Sequence, residues 1–410
     1  MSLLFLLTAA VSLTGWGSLV LRREGDWSRR FGIGTILVFM IITAAGWMGL
    51  LARPLLWVVL ASGVILWFRP GRMSRPNGLR LLIPAIAILL PLALLPPISR
   101  DAMSHHLMLP RLWLDAGRII RPEWSKFFSY PYLVHTLYAV CGGTFGFITS
   151  RMVSLLGFFA ICSVPIIRYL RRGARRTALL SLLILLSIPE LLRNATWSYT
   201  DSFLVFFSLL AYTELIRKNG SPVMAVLWAG AAGCCKYNGA VVLLTICVLL
   251  PFYFRRMSLR TLLKCGGVAL GMSAIWLVPN LIQWGNPVYP LFRGVFGPPA
   301  VELSSRGADY LSANGFSPAV TGPMDYLLLP VRISLSGKWD NPSLFDGASG
   351  PLLLAGSVLA VIAVKGRRKK LIPPLIYLVL AVAMSGTAIR TRYLLPGLVM
   401  LALPAAEAIS

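Results

Sequence analysis

Charge is scarce in this chain, and acidic charge scarcest. Of 410 residues only 13% are charged and 57% are hydrophobic, with 14 Asp and Glu and 3 His. Soluble domains carry roughly 25% charged residues, so no soluble core accounts for this much apolar surface. The six cysteines (Cys141, Cys162, Cys234, Cys235, Cys247, Cys265) all lie in apolar runs. That leaves neither a disulfide framework nor a zinc spacing, and the adjacent Cys234-Cys235 reads as packing. There is no solenoid repeat and no low-complexity tract. The first apolar run lacks a basic leader and is too long for a signal peptide, so it is expected to remain as a helix.

The excess charge is basic, formally +25. In a soluble protein that suggests nucleic acid. Here, however, most of the cations fall in short clusters between apolar runs: Arg22, Arg23, Arg29 and Arg30; Arg69, Arg72, Arg75 and Arg80; Arg168, Arg171, Arg172, Arg175 and Arg176; Arg217 and Lys218; Arg255, Arg256, Arg260 and Lys264; Lys365, Arg367, Arg368, Lys369 and Lys370. The positive-inside rule makes these the cytoplasmic loops and argues against nucleic acid as a partner.

The runs between the clusters predict an all-α, polytopic transmembrane helical bundle of about 13 spans. These are Leu3–Leu21, Phe31–Ala52, Pro54–Phe68, Leu81–Pro97, Met152–Leu170, Thr177–Leu192, Ser202–Ile216, Pro222–Cys235, Ala240–Phe254, Leu259–Asn280, Gly350–Val364, Leu371–Ser385 and Leu394–Ile409. Pro131–Phe147 is apolar too, but counting it as a crossing would turn the later basic clusters outward. It is read as an interfacial or re-entrant helix on the outer face, eased by Gly142, Gly143 and Gly146. The chain then divides into N-terminal transmembrane helices (1–80), a transmembrane core (81–280) with a first outer loop (98–151), a long extracytoplasmic loop (281–349) and C-terminal transmembrane helices (350–410). The long loop is expected to be a partly ordered lid, too aromatic for simple disorder.

With this topology most of the acids face outward: Asp101, Asp115, Glu123, Glu190, Asp201, Glu302, Asp309, Asp325, Asp340 and Asp346. Glu24 and Asp26 fall inside, and Glu214 and Glu407 in or near spans. The densest polar island is Ser99-Arg100-Asp101-Ala102-Met103-Ser104-His105-His106. Ionisable groups there must meet water or a cavity, because hydrocarbon penalises them. Asp101 and Asp201, at two outer helix ends, suit a proton acceptor, a hydroxyl-orienting group or a cation ligand. The alternative is that each caps a helix, as Thr200-Asp201-Ser202 suggests. Lys236, Arg390 and Arg392 are outer cations, suited to a lipid phosphate or to snorkelling towards headgroups. His105 and His106 offer a polar contact, base or metal ligand near Asp101. His135 reads as a headgroup-level contact. Adjacent histidines do not share a helix face, and spacing fixes no third ligand for a metal.

Several motifs in order carry a resemblance. Arg100-Asp101-Ala102-Met103-Ser104-His105-His106-Leu107-Met108-Leu109-Pro110-Arg111, Gly117-Arg118 and Ser129-Tyr130-Pro131-Tyr132-Leu133 resemble the first outer loop of GT-C type integral membrane glycosyltransferases. Tyr199-Thr200-Asp201-Ser202 is similar to their second outer-loop acid. Gly233-Cys234-Cys235-Lys236-Tyr237-Asn238-Gly239, Trp284-Gly285-Asn286-Pro287-Val288-Tyr289-Pro290 and Arg392-Tyr393-Leu394-Leu395-Pro396 are similar to later landmarks of the group that includes protein O-mannosyltransferases and the lipid A aminoarabinose transferase. Three helices precede the matching region, and no second acid adjoins Asp101.

The resemblance implies a hexosyl or pentosyl transferase that moves a sugar from a polyprenyl-phosphate donor to a lipid, glycan or protein acceptor in cell-envelope glycan synthesis. Its location would be the bacterial inner (plasma) membrane, with the site facing the periplasm. Asp101 and Asp201 would be catalytic. His105, His106, Arg111, Tyr130, Lys236, Tyr237, Asn286, Tyr289, Arg390, Arg392 and Tyr393 would bind substrate, and a divalent cation is left open. A transporter or flippase of lipid-linked sugars is the second reading, although Glu214 is nearly alone in mid-span. An O-antigen polymerase or ligase is the third, although its large outer loop would lack histidine. Fold alone does not choose among them.

Overall fold

The computed structural model describes residues 1–21, 26–68, 78–297, 315–363, 368–386 and 388–410. Among these the chain is helical throughout, without a strand. Arg22, Arg23, Glu24, Arg69, Arg72, Arg75, Glu302, Asp309, Lys365 and Arg367 lie outside the described residues. The helices are α1 (Ser2–Ser18), α2 (Trp27–Trp47), α3 (Arg53–Trp67), α4 (Ile83–Ala93), α5 (Met108–Ala116), α6 (Leu133–Thr144), α7 (Arg151–Leu170), α8 (Arg175–Leu186), α9 (Pro189–Thr196), α10 (Asp201–Leu215), α11 (Pro222–Cys235), α12 (Tyr237–Tyr253), α13 (Leu259–Trp284), α14 (Arg293–Phe296), α15 (Pro323–Leu327), α16 (Leu329–Leu335), α17 (Pro351–Ile362), α18 (Arg368–Ser385) and α19 (Thr391–Ile409).

The expected spans coincide with helices, except that Thr177–Leu192 is divided between α8 and α9, and local residues explain several of the boundaries. Asp26, Ser221 and Ser258 accept hydrogen bonds from the backbones of Arg29, Met224 and Thr261 and so cap α2, α11 and α13. Gly285 ends α13 in the left-handed conformation. Length sorts the helices. Among the described residues four stretches, Trp27–Trp47, Phe147–Leu170, Leu259–Trp284 and Thr391–Ile409, are long and apolar enough to cross a membrane. α8 and α9 make a fifth if their 75° bend is one broken span, and six other apolar helices are shorter. Not all of the expected runs are therefore full-length spans.

α10 is the axis, packed by α7, α11 and α19, while α17 and α18 lean on α19. α1 packs on α2 and α3 by close backbone approach: a Cβ at Gly34 would lie 1.6 Å from the Leu13 carbonyl oxygen. α6, read as interfacial, spans roughly 18 Å at 1.5 Å per residue, too short to cross. Most of its residues are buried among α2, α3 and α5, so it is enclosed by protein rather than laid on the surface.

The ends of the bundle differ. Asp201, Lys236, Asp101 and Arg392 meet at one end. At the other, Arg29 pairs with Glu214 at 3.1 Å, Arg171 with Asp26 at 3.5 Å, and Lys370 with Glu407. α10 runs between the two ends, from Asp201 to Leu215, about 20 Å.

Candidate active site

Beyond α4 the chain makes a single turn of π-helix, Ala102–His106, closed by the Leu107 N–H donating to the Ala102 carbonyl at 2.9 Å. Such turns are frequent at functional sites. Asp101 stands just before it and caps nothing. Its carboxylate accepts from Nη1 of Arg392 at 2.6 Å, across 291 positions of sequence. The Asp101 side chain remains 29% exposed, against 10% for Arg392, so the carboxylate is the open side of the pair. Burial alone would raise the Asp101 pKa, but the charge and hydrogen bond of Arg392, with His105 and Lys236 behind, hold it down to about 2.

Asp201 is no cap either: Thr200 precedes α10 without a side-chain cap bond. Both Asp201 oxygens instead accept from Nζ of Lys236, at 2.9 and 3.0 Å. Lys236 is the extended residue between α11 and α12. The break is tight, because a Cβ at Gly239 would lie 1.9 Å from the Ala232 carbonyl oxygen, so only glycine allows α12 to start there. The two ion pairs share a ring, with Lys236 Nζ 5.5 Å and Arg392 Cζ 5.6 Å from the Tyr393 centroid. The Tyr199 ring centroid lies 5.7 Å from Arg392 Cζ. The Tyr377 hydroxyl donates to the Tyr393 carbonyl at 2.8 Å and fixes that backbone.

All three histidines converge. His105 stacks on Phe127, with its Nδ1 3.0 Å from Ser104 Oγ, and burial pushes its pKa down to about 4 despite the Asp101 carboxylate. His106 lies 3.2 Å from His135, Nδ1 to Nε2, and edge-on to Tyr199. His135 is therefore interior, not a headgroup contact. Among the described residues no three His, Cys, Asp or Glu side chains are grouped as metal ligands.

Other expected site residues fall elsewhere. Arg111 is exposed on α5 and pairs loosely with Asp115 at 4.0 Å, the outer face of a helix whose Leu109 and Trp113 point inward. Asn286 is spent on its own turn, donating to Leu291 and accepting from the Val288 N–H. Tyr289 stacks on Trp284 at 4.4 Å, and its carbonyl accepts from the Tyr237 hydroxyl. Tyr130 packs edge-on to Tyr237 at 5.0 Å, forming an aromatic wall that begins next to Lys236. Arg390 is separated from Arg392: it pairs with Asp346 at 3.3 Å.

Asp346 belongs to a second network. It accepts from Arg193 at 3.2 Å, and Arg193 also pairs with Asp340 at 3.0 Å and faces the wholly buried Glu190 at 3.6 Å. The segment carrying Asp346 is folded unusually, with Phe345 and Asp346 at φ of 66° and 45°. It grips the chain just before Arg392: the Thr391 N–H donates to Phe345 O at 2.8 Å and its hydroxyl to Gly347 O at 2.6 Å. The sequence marks Glu190 only as one of the outward acids and Tyr199 only as a neighbour of Asp201, and gives Arg193 no mark at all. Pro189, which starts the buried polar helix α9, was the available signal.

Residues 126–297 match a family described as a domain of unknown function (DUF8201). The match takes in Tyr130, His135, Asp201, Lys236 and Tyr237 but stops short of Asp101 and Arg392 on either side. No curated protein and no solved structure matches the chain.

Proposed function

We infer that this is a multi-pass membrane glycosyltransferase that moves a sugar from a polyprenyl-phosphate donor to an acceptor hydroxyl on the extracytoplasmic face. The observation that carries this reading is the meeting of Asp101, Asp201, Lys236 and Arg392 at one end of the helices, drawn from four distant segments. Glycosyl transfer from a lipid phosphate requires a carboxylate at the attacking hydroxyl and cations at the departing phosphate. Membrane location is supported by four helices of sufficient length and apolarity. Sidedness is supported by the basic clusters, several of which hold the opposite end.

The mechanism follows from the pairing. With a pKa near 2, Asp101 is a poor proton acceptor while Arg392 holds it. A donor phosphate drawing Arg392 to itself would release Asp101, whose pKa then rises towards that of a usable base. The acceptor hydroxyl loses its proton to Asp101, its oxygen bonds to the anomeric carbon, and the bond from that carbon to the phosphate oxygen breaks. The phosphate leaves as an anion stabilised by Arg392 and Lys236. Asp201 positions Lys236.

Glu214, which a transport reading needed in mid-span, instead pairs with Arg29 at the end opposite the site and accepts from the Ser221 N–H at 2.7 Å. The test is twofold. Single-cysteine labelling in intact cells should place positions 172 and 201 on opposite sides of the membrane, and labelling on one side rejects the topology. Purified protein offered a panel of polyprenyl-phosphate sugars should release polyprenyl phosphate from at least one in the presence of acceptor. Release from none rejects the reaction.

A further inference from the structure

Arg121 differs from the other cations at this end. Arg392, Arg390, Arg193 and Lys236 each hold a carboxylate, whereas among the described residues none lies within ion-pair distance of Arg121. Its Nη2 contacts the Asn280 side chain and the Ser129 carbonyl. Its Nε and Nη1 are shielded from water and bonded to no protein atom. A partly buried guanidinium with two nitrogens left this way gains by taking an anionic partner.

Its surroundings set the kind of anion. Arg121 lines an open groove of about 460 Å³ whose other walls are Trp47, Ile119, Pro279, Ile282 and Gln283. Trp47 and Ile282 are exposed, Ile282 by 80%, and so are Val278 and Leu281 beside it on α13. The groove thus opens sideways between the ends of α2 and α13, two helices long enough to cross a membrane. Trp47 donates to the Tyr132 hydroxyl at 3.3 Å, in the manner of tryptophans at a membrane interface. One partly buried positive charge at the head of an otherwise mainly apolar trough complements an anionic amphiphile.

We propose that this groove binds a phosphate-headed anionic lipid from the bilayer, its phosphate on Arg121 and its chain along Trp47 and Ile282. The site is linked to the acidic centre: Arg121 contacts Asn280, Asn280 donates to the Tyr237 hydroxyl at 3.4 Å, and Tyr237 adjoins Lys236, which holds Asp201. A lipid here would be felt at Lys236 through that chain. The proposal rests on the membrane reading above and needs no assumption about the reaction.

The test uses the full chain purified in detergent, titrated with phosphatidylglycerol, phosphatidylcholine or inorganic phosphate and read by native mass spectrometry. Phosphatidylglycerol should bind about tenfold more tightly than phosphatidylcholine, and millimolar inorganic phosphate should not displace it. Arg121→Gln should abolish the preference. Ile282→Asp, at an exposed position that leaves Arg121 in place, should weaken phosphatidylglycerol binding to a similar degree and carries the test if Arg121→Gln does not fold. Retention of the preference in either folded variant overturns the proposal, as does displacement by inorganic phosphate, which would mark a headgroup-only anion site. Recovery of the chain in the soluble fraction without detergent would instead retire the membrane reading, before any lipid is added.

Discussion

The two ends of the bundle both carry ion pairs, yet the pairs differ in their surroundings. At the basic end, Glu214 accepts from Arg29 and from the N–H of Ser221, and Glu407 accepts from Tyr169 at 2.9 Å as well as from Lys370. These carboxylates are committed to neighbouring helix ends. At the other end Asp101 keeps an open edge, and its partner lies 5.7 Å and 5.6 Å from the rings of Tyr199 and Tyr393. Lys236 shares one of those rings. An ion pair whose members also serve the backbone is a fastener, whereas one held over aromatic rings with an exposed carboxylate can be opened by a competing anion.

Substitutions should separate the two kinds of pair. The largest combined effect is expected from Asp201→Asn, which strands Lys236 among buried residues. Breaking such a pair costs about 3–5 kcal/mol, so the variant should lose both melting temperature and turnover, measured together in one detergent. Next, Arg392→Lys retains the charge but not the geometry of the guanidinium, and should lower turnover by about 10²-fold with little loss of stability. Asp346→Asn leaves the centre intact but loosens the grip on Thr391. It should cost about tenfold in kcat while the donor KM changes less, as expected of a positioning residue. Glu214→Gln at the basic end should reverse the pattern, destabilising by about 1–3 kcal/mol with turnover kept. Full loss of activity there would erase the distinction between the ends.

Acid sharpens the same comparison. The folded pKa of Asp101 is depressed, so the pair's contribution to stability is present above the ordinary carboxylate value, near 3.9, and is lost as pH falls towards 2. The melting-temperature gap between the wild type and Asp101→Asn should be constant from pH 7 to 5 and close below 4. A gap that closed near pH 6 would mean that Arg392 does not hold Asp101.

How far the sequence could be read follows from range. Most helices were legible because they are local apolar runs, three of them opened by the caps Asp26, Ser221 and Ser258, and Pro222–Cys235 emerges with the expected limits. Asp101, Asp201, Lys236 and Arg392 were legible as ionisable residues set in an apolar chain. Their pairing was not: Asp101 and Arg392 are 291 positions apart, and no periodicity reports such a contact. Sequence also assigned Arg390 and Arg392 one role by adjacency, although the extended Arg390 and helical Arg392 turn to different acids. Arg193 was overlooked because the α8–α9 bend converts what reads as the end of a span into a buried polar helix.

The proposed reaction makes Asp101 the reacting carboxylate. It is tested most directly by mass-spectrometric measurement of polyprenyl phosphate released by purified wild type and Asp101→Asn from the same polyprenyl-phosphate sugar and acceptor. The amide keeps the size of the side chain and loses its charge and basicity. The account predicts a fall of at least about 100-fold with the variant folded and membrane-inserted. Turnover within a few-fold of wild type would contradict it.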